Sequence, residues 1–153
     1  MPHAEASAVV PLPQERAFAL AHDLGVVRAA WDPEAATSRL IRGAEAEGEG
    51  VHRFVKSPSG RRMILRTTTW FPPLASSSEM AKGPSWLRAY GESWRVERID
   101  DERSRVTWKL TAKAASPVAP DAVGAALGPL LRRSVEHRMA GYVEAAERLA
   151  AAG

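Results

Sequence analysis

Two periods of hydrophobic repetition run through this chain. From about Asp121 to Ala150 apolar positions recur at helical spacing. With Leu131 set at zero and about 100° added per residue, Leu131, Val135, Tyr142, Ala146 and Leu149 share one narrow face. Arg132, Arg133, Glu136, His137, Glu144, Glu147 and Arg148 fall opposite. The pattern predicts one long amphipathic helix that must lie across another layer. Asp121 is placed to cap it. Gly128-Pro129 interrupts it: proline removes an intrahelical hydrogen bond and clashes one turn back, so the helix is expected either to kink or to begin there.

The rest of the chain alternates. Residues 3–10 put Ala4, Ala6, Ala8 and Val10 on one face, a strand of small residues that lets a helix come close. Pro11-Leu12-Pro13 stops it, with Pro13 suited to open a helix. Two short helices are predicted, over Gln14–His22 with Ala17, Phe18 and Ala21 inward, and over Val26–Trp31, with Gly25 between them. Strands follow at Thr37–Arg42, Val51–Lys56, Arg62–Phe71, Leu74–Ala81, Trp86–Arg98 and Arg103–Lys113. Their turns are marked by Glu47-Gly48-Glu49-Gly50, Ser57-Pro58-Ser59-Gly60, Pro72-Pro73, Lys82-Gly83-Pro84-Ser85 and Asp100-Asp101-Glu102. Tyr90, Glu92, Trp94 and Val96 share one strand face. In the last strand Val106, Trp108, Leu110 and Ala112 face inward, while Arg105, Thr107, Lys109 and Thr111 face water, the mark of an antiparallel sheet with one solvated face. Both faces of Arg62–Phe71 carry large apolar groups, so alternation alone leaves Trp70 free to point either way. Ser116–Pro120 connects the last strand to the long helix. The fold class is therefore α+β: a curved seven-stranded antiparallel sheet wrapped on a long C-terminal helix, with two short helices between strands one and two.

Composition narrows the function classes. With 153 residues, 45% apolar and 25% charged, the chain reads as one globular domain. Cysteine is absent, which removes disulfides, thiolate nucleophiles and cysteine metal sites. The first residues lack the apolar core of a signal peptide, and no run approaches the roughly 20 apolar residues of a membrane span; a cytoplasmic protein with no integral membrane segment is expected. The net charge of +3 is modest and scattered, so no nucleic-acid partner is expected.

The order of elements and several motifs resemble the START-like (SRPBCC) superfamily, and within it the polyketide cyclase/dehydrase-type proteins. The matching residues are Pro11-Leu12-Pro13-Gln14-Glu15-Arg16-Ala17-Phe18 after the first strand, His22-Asp23, Trp31, the Gly48–Gly50 turn, Pro72-Pro73, Trp94-Arg95-Val96 and the terminal amphipathic helix. The resemblance covers nearly the whole chain and implies a helix-grip fold with an internal cavity used for hydrophobic ligands. It carries no single catalytic signature.

On that expectation the cavity is lined by Trp70, Tyr90, Trp94, Val96 and Trp108 of the sheet, facing Leu127, Leu131, Ser134 and Val135 of the helix. Gly124, Gly128 and the alanines of the first strand leave room, although five tryptophans are also able to fill the interior. Two charges stand where apolar residues are expected. Arg138 lies about 20° from Leu131 on the helix face, and Glu92 shares its strand face with Tyr90 and Trp94. A buried charge needs a partner, and each is a candidate partner for the other or for a polar group on a ligand.

The histidines, His3, His22, His52 and His137, fall in no metal-ligand spacing, and neither a metal nor another cofactor is expected. His22-Asp23 has the composition of a catalytic couple, but adjacent residues rarely face each other, and the Asp is expected in a loop or cap. Arg53, Lys56, Arg61, Arg62 and Arg66 make the densest positive patch, on a hairpin. The leading function is binding of a hydrophobic or aromatic small molecule. The alternatives are an aromatase/cyclase in which Arg138, Glu92 or Tyr142 assists proton transfer, and an interaction module with a filled interior. Open sheet edges leave a homodimer open.

Overall fold

The computed structural model describes residues 2–115 and 120–153, with side chains in the last helix described from residue 125 onward. The connection expected over Ser116–Pro120, the side-chain cap expected at Asp121 and the room expected at Gly124 fall outside these bounds, apart from Pro120 as the first helical residue.

The elements run β1 (His3–Val10), α1 (Gln14–His22), α2 (Val26–Trp31), β2 (Thr37–Leu40), β3 (His52–Lys56), β4 (Arg62–Phe71), β5 (Ala75–Lys82), β6 (Leu87–Arg98), β7 (Ser104–Ala114) and α3 (Pro120–Ala152). All seven strands join one sheet in the order β1-β7-β6-β5-β4-β3-β2, each neighbour antiparallel. This is the helix-grip layout. The pairing of β1 with β7 makes α1 and α2 the link from one sheet edge to the other.

Helix α3 packs on β1 and β7. The approach is close because β1 turns Ala4, Ala6 and Ala8 toward it, and larger side chains would hold the helix away. Gly141 serves the same end: its Cα lies against the Trp31 carbonyl, and any side chain there would overlap that oxygen. The helical stripe differs from the expected one at its end. Leu149 is 37% exposed, whereas Met139 and Ala145 are buried with Leu131, Val135, Tyr142 and Ala146. Nor does the helix begin at Gly128-Pro129; it runs from Pro120 through Pro129. The carbonyl that loses its donor belongs to Ala125, an exposed residue where water can replace the missing bond.

In β4, Met63, Leu65 and Thr67 point inward, and strict alternation would then turn Trp70 out. The register with β5 slips between Thr67 and Thr69. This β-bulge inserts one residue and exchanges the faces beyond it, so Trp70 packs inward beside Phe18 and His22. Strand β2 ends at Leu40, two residues short of expectation, because Arg42 takes a positive φ of 58°.

A candidate ligand cavity with a polar inner wall

The interior is packed at one end and open at the other, and β7 shows why. Its inward side chains diminish along the strand from Trp108 to Leu110 to Ala112, all nearly inaccessible. At the Trp108 end, Trp94 stacks on it with centroids 4.1 Å apart, and Trp31 meets both edge-on. Tyr142 closes the group, donating from its hydroxyl to the Ala17 carbonyl at 2.7 Å. Aromatic pairs in these geometries add to simple area burial. At the Ala112 end the side chains no longer span the gap between sheet and helix, and a cavity of about 620 Å³ remains. Val55, Met63, Leu65, Leu87, Leu127 and Leu131 give it apolar walls. Trp86, 54% exposed, and Leu130, 59% exposed, stand at its mouth.

Of the residues expected to line a cavity, Tyr90, Glu92, Leu127, Leu131, Ser134 and Arg138 do border this space. Trp94, Val96, Trp108 and Val135 lie in the packed end, at most 3% exposed, because they sit where the bulky residues of β6, β7 and α3 coincide. Trp70 lies apart on the same face of the sheet, beneath α1, where it borders a shallow outer groove.

The expected pairing of Glu92 with Arg138 does not form. Arg138 reaches instead to Asp32, the C-cap of α2. Its Nε donates to Asp32 Oδ1 at 3.0 Å and its Nη2 to Oδ2 at 2.9 Å. Arg28, one helical turn before Asp32, donates from Nε to Oδ2 at 2.8 Å and from Nη1 to the Ala21 carbonyl at 2.8 Å. The Glu34 amide adds a bond to Oδ1 at 3.0 Å. Burial alone would raise the Asp32 carboxyl, but the charges of Arg138 and Arg28 and their hydrogen bonds outweigh it and hold the group well below the usual carboxylate range. Both guanidinium groups also lie over tryptophan faces, Arg138 at 4.3 Å from the Trp108 centroid and Arg28 at 4.6 Å from that of Trp31.

Glu92 pairs with Arg53, whose Nη2 lies 2.5 Å from Oε1 and 2.8 Å from Ser78 Oγ. Burial pushes the Glu92 carboxyl up, and Arg53 followed by Arg138 more than reverses this, so the group stays ionised. Tyr90 stands between the two systems. Arg138 Nη1 donates to its oxygen at 3.4 Å, and its hydroxyl points to Glu92 Oε2 at 3.5 Å. Burial first, then the Glu92 charge, push the phenol up to about 12. Nearer the mouth, Glu34 accepts from Ser134 Oγ and pairs with Arg61 at 3.1 Å.

The basic hairpin is thereby less of a surface patch than its sequence suggests. Arg53 is drawn inside to Glu92, and Arg61 turns to Glu34. Arg28, Glu34 and Arg53, which border the cavity, and Asp32, buried behind them, were not foreseen there. The one local sign was the Arg28/Asp32 spacing of four residues, which puts opposite charges on one helical face; for Glu34 and Arg53 the sequence offers no such sign.

His22 and Asp23 do not act on each other. Asp23 is the exposed C-cap of α1. His22 Nδ1 lies 2.7 Å from the Phe18 carbonyl and Nε2 2.6 Å from Ser76 Oγ. A carbonyl only accepts, so Nδ1 carries the proton and Nε2 accepts from the serine. Burial lowers this imidazole to about 4. Among the described residues no group of His, Asp and Glu gathers to hold a metal ion, and no helix is long and apolar enough to cross a membrane.

A family model described as "Polyketide cyclase / dehydrase and lipid transport" matches residues 1–151. No curated protein matches the chain by sequence. Among solved structures, a protein from Thermus thermophilus is similar at 19% identity, with 99% of this chain and 100% of that one covered and a TM-score of 0.76. A START superfamily protein from Mycobacterium smegmatis is similar at 13% identity, covering 93% and 97%, with a TM-score of 0.71. The Zhui aromatase/cyclase from a Streptomyces strain is similar at 17% identity, covering 97% and 93%, with a TM-score of 0.70. These likenesses speak for the fold.

Proposed function

The chain belongs to the polyketide cyclase/dehydrase and lipid transport family, and on that footing we propose that it binds a hydrophobic or aromatic small molecule between sheet and helix. The observation that carries this reading is the cavity of about 620 Å³, apolar along its walls and polar at its inner side. A cavity of that size is in the range of small-molecule sites, where a mostly apolar lining supplies affinity and a few fixed polar groups supply orientation. Tyr90, Glu92, Leu127, Leu131, Ser134 and Arg138 are its proposed contacts. An interaction module with a solid interior fits this open space less well.

An aromatase/cyclase reading draws on one feature, the Tyr90 hydroxyl and Glu92 carboxylate facing a shared space 3.5 Å apart. General acid–base work near neutrality is favoured by proton affinities near the working pH. Here the phenol is raised and the carboxyl lowered, which moves both away from it. Binding without turnover is the better-supported role.

The test is a titration with N-phenylnaphthylamine, a neutral dye that brightens in apolar surroundings, alongside native mass spectrometry of freshly purified protein. Saturable brightening that falls at least about tenfold in affinity in Leu131→Trp, whose larger ring projects into the cavity, supports the reading. No saturable signal, or a signal indifferent to Leu131→Trp, overturns it.

A further inference from the structure

The polar wall of the cavity is almost internally neutralised. Arg28, Arg53, Arg61 and Arg138 all face carboxylates, supplied by Asp32, Glu34, Glu47 and Glu92. An anionic group brought to this wall would lose its water and, among the described residues, meet no buried cation that is uncommitted, the costly case for a buried charge. It would also meet the ionised Glu92. Arg133 and His137 also border the cavity, but they are exposed residues, where water and salt screen their attraction.

Two polar atoms on the wall are nonetheless underused. Glu92 Oε1 is taken by Arg53 at 2.5 Å, while among the described residues Oε2 has only the Tyr90 hydroxyl at 3.5 Å. Among the same residues the Tyr90 oxygen receives only the Arg138 Nη1 contact at 3.4 Å. Both distances exceed those of well-formed bonds between such groups. The phenol thus has a proton to give and the carboxylate an oxygen that can accept, side by side and facing the cavity.

We propose, building on the binding role above, that this pair selects a neutral hydroxylated ligand, a phenol or an enol, over a carboxylate. The ligand O–H donates to Glu92 Oε2, and the Tyr90 O–H turns to donate to the ligand oxygen. One neutral hydroxyl satisfies both underused groups, whereas a carboxylate has no proton for Glu92 and brings a second negative charge beside it. The apolar walls take the hydrocarbon part of the molecule.

Calorimetric or fluorescence titration with naphthol, naphthoate and naphthalene tests this, since the three share one ring system and differ in the group at its edge. Naphthol is expected to bind at least roughly tenfold more tightly than either of the others at neutral pH. Tyr90→Phe is expected to weaken naphthol about fivefold or more and so to narrow its advantage over naphthalene. Naphthoate binding as well as naphthol, or naphthalene binding as well as naphthol, overturns the selection while leaving the cavity reading intact. Failure of all three to bind removes the cavity reading and this inference with it. The comparison among ligands uses the unaltered protein, so it stands even if Tyr90→Phe folds poorly.

Discussion

His22 should make the stability of this protein fall on mild acidification. Its imidazole is lowered from 6.5 to about 4 in the folded chain, chiefly by burial. Between those values the unfolded chain binds a proton that the folded chain refuses. A group depressed on folding contributes stability that is present above its unfolded value and is lost as the pH falls through its folded value. Integrating the linkage from about pH 7 down to about pH 5, at roughly 1.4 kcal/mol per unit, gives a loss of about 2 kcal/mol. That is an upper bound, because one edge of the residue retains some solvent contact. The acids contribute in a lower range: Asp32 and Glu92 are also depressed, from ordinary values of 3.8 and 4.5, so their share is lost mainly below that window. Urea denaturation at the two pH values, for the wild type and for His22→Gln, measures the effect as a difference in slope. Imidazole proton shifts followed by NMR give the titration directly. A wild-type stability that is level across this window refutes the reasoning, and so does a slope that survives in His22→Gln.

Two further substitutions probe the packing and the ion pairs. Gly141→Ala places a methyl group on the Trp31 carbonyl oxygen, and since backbone must move to admit it, a loss of about 1–3 kcal/mol in thermal or urea unfolding is expected; an unchanged midpoint would show that α2 and α3 do not meet so closely. Asp32→Asn leaves Arg28 and Arg138 buried without their shared carboxylate, a change expected to cost about 3–5 kcal/mol in urea denaturation, and a loss below about 1 kcal/mol would mean that the two guanidinium groups reach water.

The elements were legible because each is written locally. Strand β7 alternates without a fault, and α1 and α2 are bounded by Pro13, Gly25 and Asp32, so their limits need no knowledge of the rest. What alternation cannot carry is a residue inserted into one strand. The bulge near Thr68 exchanges the faces of β4, and nothing in Thr67-Thr68-Thr69 marks which threonine is extra. The polar wall was hidden for a different reason. Arg138 finds Asp32 across 106 positions, and Arg53 finds Glu92 across 39; a charge on an apolar face reveals that a partner exists without saying which. The gradient from Trp108 to Ala112, by contrast, stands in the sequence as a change of side-chain size. Its meaning emerged only once α3 was known to cross above it.

The pairing of β1 with β7 has a consequence for how the chain reaches this state during synthesis. The meander from β2 to β7 can assemble hairpin by hairpin as it is made, but β1 finds its strand partner only when β7 arrives. The helix that roofs the cavity is later still. Until then the concave face of the sheet, with Trp94, Trp108 and Leu110 upon it, is open to any apolar surface nearby. Distant partners of this kind slow folding and prolong the exposure of sticky intermediates. A compound small enough to settle on that face before α3 closes would act as a template for the helix, and would be enclosed by the same event that closes the fold.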